Sequence, residues 1–418
     1  MYINYEKIGN CLGFGKEFFY NLKLKQNLNY IKKNQKEVLK KLKNKTPLNV
    51  VFYVYDEAKW KSQSVYDFMV KDERFNPKIV VTKNSSSAGN PNYQTIDDVK
   101  KCYDFFKTKG MNVEFGYDIQ KDKFIPFEKF SPDLIFYSHP WYVYKTQGPV
   151  VCSKFALTYY IPYFIPASVV WFDYDLRFHK YLYKHYVSTD MIKNIYEENI
   201  KDSVCKLVTA GHPIFDEYLT SNDREKKYLI YAPHWTVCGD NLRFGTFEWS
   251  GKKVLEFAKS HPELNWVFRP HPLFYKFILT SGFMPHEDID NYFDEWRKIG
   301  QISEGGDYVD LFKESYAMIT DCGSFLTEYF ITGNPVIHLI SDKLQPNKIV
   351  EEIDKTYYKA HNEQELNIQL EDVLLNKNDT NQQARAELSD KLNLKNNYSA
   401  KRIIDDIIND IGVCNDKR

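Results

Sequence analysis

The sequence predicts an α/β protein: two Rossmann-like, doubly wound parallel domains in tandem, preceded by a basic helix. Short apolar runs of strand composition alternate with helical stretches of about ten to fifteen residues, the pattern of parallel sheets covered on both faces. The alternation runs to about residue 200 and then begins again. Four apolar runs end in polar turns that carry a histidine or a small hydroxyl: Ala210-Gly211-His212-Pro213, Ala232-Pro233-His234-Trp235-Thr236, Arg269-Pro270-His271-Pro272 and Thr320-Asp321-Cys322-Gly323-Ser324. A length of 418 residues accommodates two such domains.

In chain order, residues 14–45 read as a helix with Leu24, Leu28, Ile31, Val38 and Leu42 on one side and lysines on the others. From Lys16 to Lys45 ten lysines stand against Glu17 and Glu37, a net of +8. Such a helix either lies on an anionic membrane surface, each lysine near it contributing on the order of 1 kcal/mol, or packs on the first domain with its lysines solvated. Thr46-Pro47 ends it. Strands are expected at 48–55, 78–82, 113–117, 134–137 and 155–160, with helices near 60–73 and 95–109, and 176–199 reads as helical. The second alternation places strands at 206–209, 227–231, 265–268, 301–303, 317–319 and 336–340, with helices near 251–260, 286–298, 307–314 and from Phe325 to the Gly333-Asn334-Pro335 stop. The expected division is a helical extension at 1–45, a first domain at 46–203, a second at 204–395 and a terminal helix and tail at 396–418.

A hydrophobic fraction of 43% supports packed cores, and a formal net charge of zero gives no argument for nucleic acid. Seven cysteines without a C-x-x-C pair speak against a disulfide framework or a structural zinc site and for a reducing cytoplasm. The opening Met-Tyr-Ile-Asn-Tyr-Glu-Lys lacks a signal-peptide pattern. The uncharged stretch 155–172 is interrupted by Pro162 and Pro166 and reads as a buried strand and its turn rather than a membrane span. No G-x-G-x-x-G, Walker lysine motif, H-E-x-x-H or G-x-S-x-G occurs, and no grouping has metal-ligand spacing.

In open parallel sheets ligands bind at the carboxyl ends of the strands, so the four turns are expected along one rim, facing a cleft between the domains. The unpartnered N–H groups of a helix start and the helix dipole suit an anion at Gly323 and Ser324. Arg269 and His271, stiffened by Pro270 and Pro272, suit the oxygens of a phosphate or pyrophosphate. His234 and Thr236 occupy the equivalent turn one strand earlier, with Trp235 available to stack on a base or sugar. His212 lies at the expected domain junction, as a site residue or a structural bridge. His139, in Tyr-Ser-His-Pro-Trp, is its counterpart in the first domain, either a general base or a satisfied core histidine.

With the segments Gly211-His212-Pro213, Asp216, Tyr231-Ala232-Pro233-His234-Trp235, Arg269-Pro270-His271-Pro272, Ile319 to Ser324, Glu328-Tyr329 and Gly333 to Ile337 laid out, region 205–340 resembles the CDP-glycerol glycerophosphotransferase family, the teichoic-acid and capsule polymerases and primases. The resemblance implies a GT-B fold with the nucleotide on the C-terminal domain and peripheral attachment to the inner face of the membrane. It implies that Arg269, His271, Asp321 and Ser324 contact the donor phosphates, with Gly323, His234, Thr236 and Glu328 in the same nucleotide site. Where the family commonly has two serines this chain has Gly323-Ser324, and where it has Pro-Arg-Asn-Asp this chain has Pro213-Ile214-Phe215-Asp216. The family's His-Gly-Thr motif, source of the proposed base, is missing, and His139 stands in for it by position.

The implied activity is transfer of a polyol-phosphate from a CDP-activated donor to a hydroxyl of a polymer or lipid-linked acceptor, with release of CMP and catalytic roles for His139 and His271. No tightly bound cofactor is expected; a divalent cation is compatible with the chemistry but is not called for by the sequence. The alternatives are a GT-B glycosyltransferase of capsule or lipopolysaccharide synthesis and a non-catalytic nucleotide- or polymer-binding subunit at the membrane.

Overall fold

The computed structural model describes residues 13–88, 90, 93–168, 176–219, 224–237, 244–304, 308–394 and 398–412, with the backbone alone for 13–20. They form two compact units. One gathers the described residues up to Tyr163, those of 176–216 and those from Tyr398; the other gathers 164–168 and the described residues from Glu217 to Leu394.

The first unit is built on strands β1 (Leu48–Val54), β2 (Phe75–Val81), β3 (Val113–Phe115), β4 (Leu134–Tyr137), β5 (Leu157–Tyr160), β6 (Lys184–Val187) and β7 (Lys206–Thr209). Among the described residues these seven form one parallel sheet in the order β3-β2-β1-β4-β5-β6-β7. Chain order reverses between β1 and β4, where Val50 pairs with Leu134, so the crevice outside the carboxyl ends of these strands is the switch point of the sheet. All of β1 but Asn49 is buried, as expected for a Val/Phe/Tyr-rich central strand covered on both faces.

Helix α1 (Gly13–Leu42) puts Leu24, Ile31, Val38 and Leu42 into the cores of this unit. The apolar stripe that would have to enter a membrane surface is therefore covered by the protein itself. Lys23, Lys25, Lys32, Lys33, Lys36, Lys40, Lys41 and Lys43 stay exposed on the outer side. Among the described residues no helix is long and apolar enough to cross a membrane.

In the first sheet, two strands depart from the sequence expectation. Residues 184–187, expected within a helical stretch, form β6, all four buried. Lys184 and His185 disguise it as surface: the Lys184 side chain is only 4% exposed, and its amine lies 2.7 Å from Asp406 and 2.5 Å from Asp410, two carboxylates of the C-terminal helix (Ser399–Ile411). A buried ammonium is tolerable only when paired, and the hydroxyls of Tyr186 and Tyr183 donate to the same two carboxylates. The helix also buries Ile403, Ile404, Ile407, Ile408 and Ile411 in the core of the first unit, so the chain end returns to where it began.

Strand β7 was expected to open the second domain at 204. It pairs with β6 instead, Lys184 opposite Lys206, and the first unit runs on to Asp216. The Gly211-His212-Pro213 turn goes with it. Gly211 has φ +84°, and a Cβ there would run into the Ser399 side chain. His212 donates from Nε2 to the Pro162 carbonyl at 2.8 Å and accepts at Nδ1 from the Ile214 N–H at 3.3 Å. Asp216 accepts from the N–H groups of Ser399 and Ala400 at 2.6 and 2.9 Å and from the Ser64 hydroxyl at 2.9 Å. This motif anchors the C-terminal helix.

The second unit carries β8 (Tyr228–Ala232), β9 (Trp266–Phe268), β10 (Gln301–Ile302), β11 (Ser315–Thr320), β12 (Val336–Leu339) and β13 (Tyr358–Ala360). They form a parallel sheet in the order β10-β9-β8-β11-β12-β13, with its switch point between β8 and β11. Strand β13 has no counterpart in the sequence expectation. Its three residues are too few to register against the helices around it.

Burial makes a pH prediction for the first unit. His185 lies against Tyr160 and Tyr196 with both ring nitrogens buried and no hydrogen-bond partner among the described residues, and burial holds its pKa well below 6.5. His212 is pushed down to about 4 for the same reason. Such groups leave stability intact above pH 6.5 and erode it below, because the unfolded chain takes the proton first. Each costs about 1.4 kcal/mol per pH unit until its folded pKa is reached. Urea unfolding between pH 7.5 and 5 should show His185→Leu losing stability less steeply than the unsubstituted chain; equal slopes would contradict it.

Candidate functional site

Three of the four polar turns leave the same edge of the second sheet. Pro233–Thr236 follows β8, Arg269–Pro272 follows β9 and Asp321–Ser324 follows β11. The first and third flank the switch point, where an open parallel sheet leaves room for a ligand. The turn with His212 belongs to the other unit.

Asp321 ties the turns together. Its buried carboxylate accepts from the His234 N–H at 2.5 Å, the Thr246 N–H at 2.7 Å and the Thr246 hydroxyl at 2.8 Å. Burial pushes its pKa up to about 6, against these hydrogen bonds, which favour the ionised form. Thr320 adds a bond from its hydroxyl to the Ala232 carbonyl at 2.6 Å and accepts from the Cys322 N–H at 2.9 Å. Thr236 is engaged as well, accepting from Gly245 N–H at 2.8 Å. A Cβ on Gly245 would collide with the Thr236 carbonyl, so only glycine closes this loop. Asp321 and Thr236, expected at the nucleotide, are engaged with the backbone of these turns.

The two histidines are held in one tautomer by the same device. His234 Nδ1 lies 2.9 Å from the Thr236 hydroxyl and 3.3 Å from the Thr236 N–H, and His271 Nδ1 accepts from the Leu273 N–H at 3.1 Å. With Nδ1 an acceptor in each, the neutral ring carries its proton on Nε2. The rings are 5.3 Å apart. Burial, then the neighbouring His271, holds His234 well below the usual histidine pKa, so it acts as a neutral donor. Trp235 lies beside them, 6.1 Å from the His271 ring and 4.8 Å from Phe277.

Arg269 continues the strand ladder through its N–H to the Tyr231 carbonyl at 2.8 Å. Its guanidinium bonds Ser303 at 2.5 Å and lies 5.0 Å over the Tyr308 ring. The Tyr308 hydroxyl donates to Glu328, which is 1% exposed in helix α2 (Gly323–Glu328). A Cβ on Gly323 would sit 2.6 Å from the Phe244 ring and 3.2 Å from Ala167, so a serine side chain would be crowded at this position. Ser324 follows in the first turn of α2, half-buried. Helix α2 is six residues long and passes directly into a 3-10 turn at Tyr329–Thr332.

His139 stands at the switch point of the first unit, after β4. Its Nδ1 is 2.8 Å from the Ser138 hydroxyl and its ring centroid 3.6 Å from that of Tyr55. Nε2 is buried and has no partner among the described residues. Burial, and then the charge of Lys59, hold its pKa well below 6.5. Thus His234, Arg269, His271, Asp321, Gly323, Ser324, Thr236 and Glu328 gather on one unit, with His139 and His212 on the other. Phe244, Thr246, Ser303 and Tyr308 were not legible in the sequence. Thr246 and Ser303 sit in no motif, and only the fold brings them to Asp321 and Arg269. Among the described residues no group of three or more His, Cys, Asp or Glu is placed to hold a metal ion.

No protein-family model matches the chain, and no curated protein matches it in sequence. Solved structures do match in fold. The wall teichoic acid polymerase TagF aligns over 96% of this chain and 99% of that one, with a TM-score of 0.57 and 13% identity. A putative UDP-N-acetylglucosamine 2-epimerase from Listeria monocytogenes aligns over 88% and 98%, with a TM-score of 0.55 and 14% identity. S. aureus MnaA, solved with UDP, aligns over 89% and 99%, with a TM-score of 0.54 and 13% identity. Likeness at this identity establishes the fold, two Rossmann-like domains of the GT-B type.

Substitution separates a structural Asp321 from a ligand contact. Asp321→Ala strands three donors and should destabilise the protein by about 2 kcal/mol or more, whereas Ser324→Ala should stay within about 0.5 kcal/mol. Equal unfolding midpoints for the two variants in urea would reject the clamp.

Proposed function

We propose that the chain is a transferase that moves a polyol-phosphate, such as glycerol phosphate, from a CDP-activated donor to a hydroxyl of a surface-polymer acceptor and releases CMP. The observation that carries this reading is that His234, Arg269, His271 and Ser324 all lie on turns at the carboxyl edge of the second sheet, with the His234 and His271 rings 5.3 Å apart. Three kinds of donor are presented together there: imidazole Nε2–H, guanidinium and the start of α2. That combination suits a pyrophosphate, whose charge grows on the bridging oxygen as the bond to the β-phosphorus breaks. TagF, named a wall teichoic acid polymerase, matches the chain over nearly its full length, which favours a polyol-phosphate.

In this reading the acceptor oxygen bonds to the β-phosphorus and the bond from that phosphorus to the bridging oxygen breaks. The electron pair leaves with CMP. Arg269 neutralises charge on the departing oxygens, and His271 and His234 donate hydrogen bonds alongside. The hydroxyl proton goes to His139, with Nδ1–H directed to Ser138 and Nε2 carrying the lone pair.

The match to a putative UDP-N-acetylglucosamine 2-epimerase, and that to MnaA solved with UDP, favour a second reading, an enzyme acting on a nucleotide-sugar through the same anion site. Mass analysis of products decides between them. Incubation with CDP-glycerol and a polyol-phosphate acceptor should release CMP and add a phosphodiester. A glycosidic bond or an epimerised sugar formed from UDP-sugars, with no CMP from CDP-glycerol, would overturn the first reading. Arg269→Gln should lower kcat/KM for the donor by about 100-fold, chiefly through kcat; an unchanged value in steady-state assays would remove Arg269 from the site.

A further inference from the structure

We infer that Tyr308 is a positioning residue of the phosphate site: it fixes the Arg269 guanidinium relative to the Gly323–Ser324 turn. The inference rests on the reading above that Arg269 holds a donor phosphate. Tyr308 is 7% exposed and precedes the helix Val309–Glu314. It contacts Arg269 on one side and helix α2 on the other. One face of its ring supports the Arg269 guanidinium, 5.0 Å from the ring centroid. Its edge packs against Phe325 at 5.1 Å, and its hydroxyl donates to Glu328, so two contacts fasten it to α2, one residue and four residues beyond Ser324. Phe312 backs the ring at 4.7 Å and is itself 5.0 Å from Phe325, which leaves the ring little room to tilt.

The consequence is geometric. An arginine side chain has many rotamers, and its worth to a dianion depends on the guanidinium being already in place when the ligand arrives. Ser303 holds one nitrogen, at 2.5 Å, and the Tyr308 ring holds the plane. The same ring contacts Phe325 and Glu328 of α2, so one side chain links the guanidinium to the helix that carries Ser324. The distance between them is what separates a pyrophosphate from a single phosphate. Burial and the adjacent Glu328 carboxylate keep the Tyr308 hydroxyl protonated far above neutral pH, so it remains a donor under any working condition.

The test is a double-mutant cycle read by calorimetric binding of CDP and of inorganic phosphate, with thermal melting to verify folding. Tyr308→Leu should weaken CDP about 30-fold but phosphate less than threefold, and Tyr308→Phe, which keeps the ring and loses only the bond to Glu328, should fall between. In an Arg269→Gln background Tyr308→Leu should add less than a twofold further loss, because its effect passes through Arg269. Additive losses, or equal losses for CDP and phosphate, would show Tyr308 to be structural and overturn the inference while leaving the phosphate site in place. Should Tyr308→Leu fail to fold, the same cycle with Tyr308→Phe decides on the same criteria. Failure of the unsubstituted chain to bind CDP, UDP or pyrophosphate would overturn the site and the inference together.

Discussion

The arrangement of the second unit depends on one buried carboxylate. Asp321 follows β11 and accepts from the backbone of the turn after β8 and from Thr246 at the start of the helix Phe247–Ser260. A carboxylate removed from water is costly unless its lone pairs are filled, and here three donors fill them. Those donors come from segments that the sheet alone would leave independent. Binding them to one group places the His234 ring beside His271 and sets Phe244 against Gly323. The candidate anion site is shaped by a residue that is itself engaged elsewhere.

One local device recurs with different outcomes. In His212, His234 and His271 the Nδ1 atom accepts the N–H of the residue two places on, which fixes the ring over its own turn and leaves Nε2 as the donor. In the first unit that donor is sealed against the Pro162 carbonyl, and the turn serves to anchor the C-terminal helix. In the second unit the device occurs on neighbouring strands, β8 and β9, and the two rings come together at the sheet edge. The same sequence signal thus marks a brace in one place and a candidate binding group in the other, and strand pairing decides which.

What the sequence disclosed and what it concealed divide along the same line. The turns after β8, β9 and β11 were legible because proline, glycine and histidine punctuate them, and their strands because Val, Ile, Phe and Tyr cluster there. Strand β6 was concealed by Lys184, whose partners Asp406 and Asp410 lie more than two hundred residues away. Strand β7 was seen as a strand but given to the wrong domain, since composition does not report which edge a strand joins. The amphipathic character of α1 was plain, yet only packing shows that its apolar stripe is already covered. Tyr308 and Ser303 escaped because their roles come entirely from Arg269 and α2 folding onto them.

The central claim is that the carboxyl edge of the second sheet, at the β8/β11 switch point, holds the pyrophosphate of a nucleotide-activated donor. A crystal structure of the protein soaked with CDP-glycerol tests it most directly. Phosphate oxygens are expected within about 3 Å of His271 Nε2, the Arg269 guanidinium and the Ser324 N–H, with the Asp321 bonds intact. Density for the nucleotide beside His139 on the first unit, with the second sheet's edge empty, would contradict it.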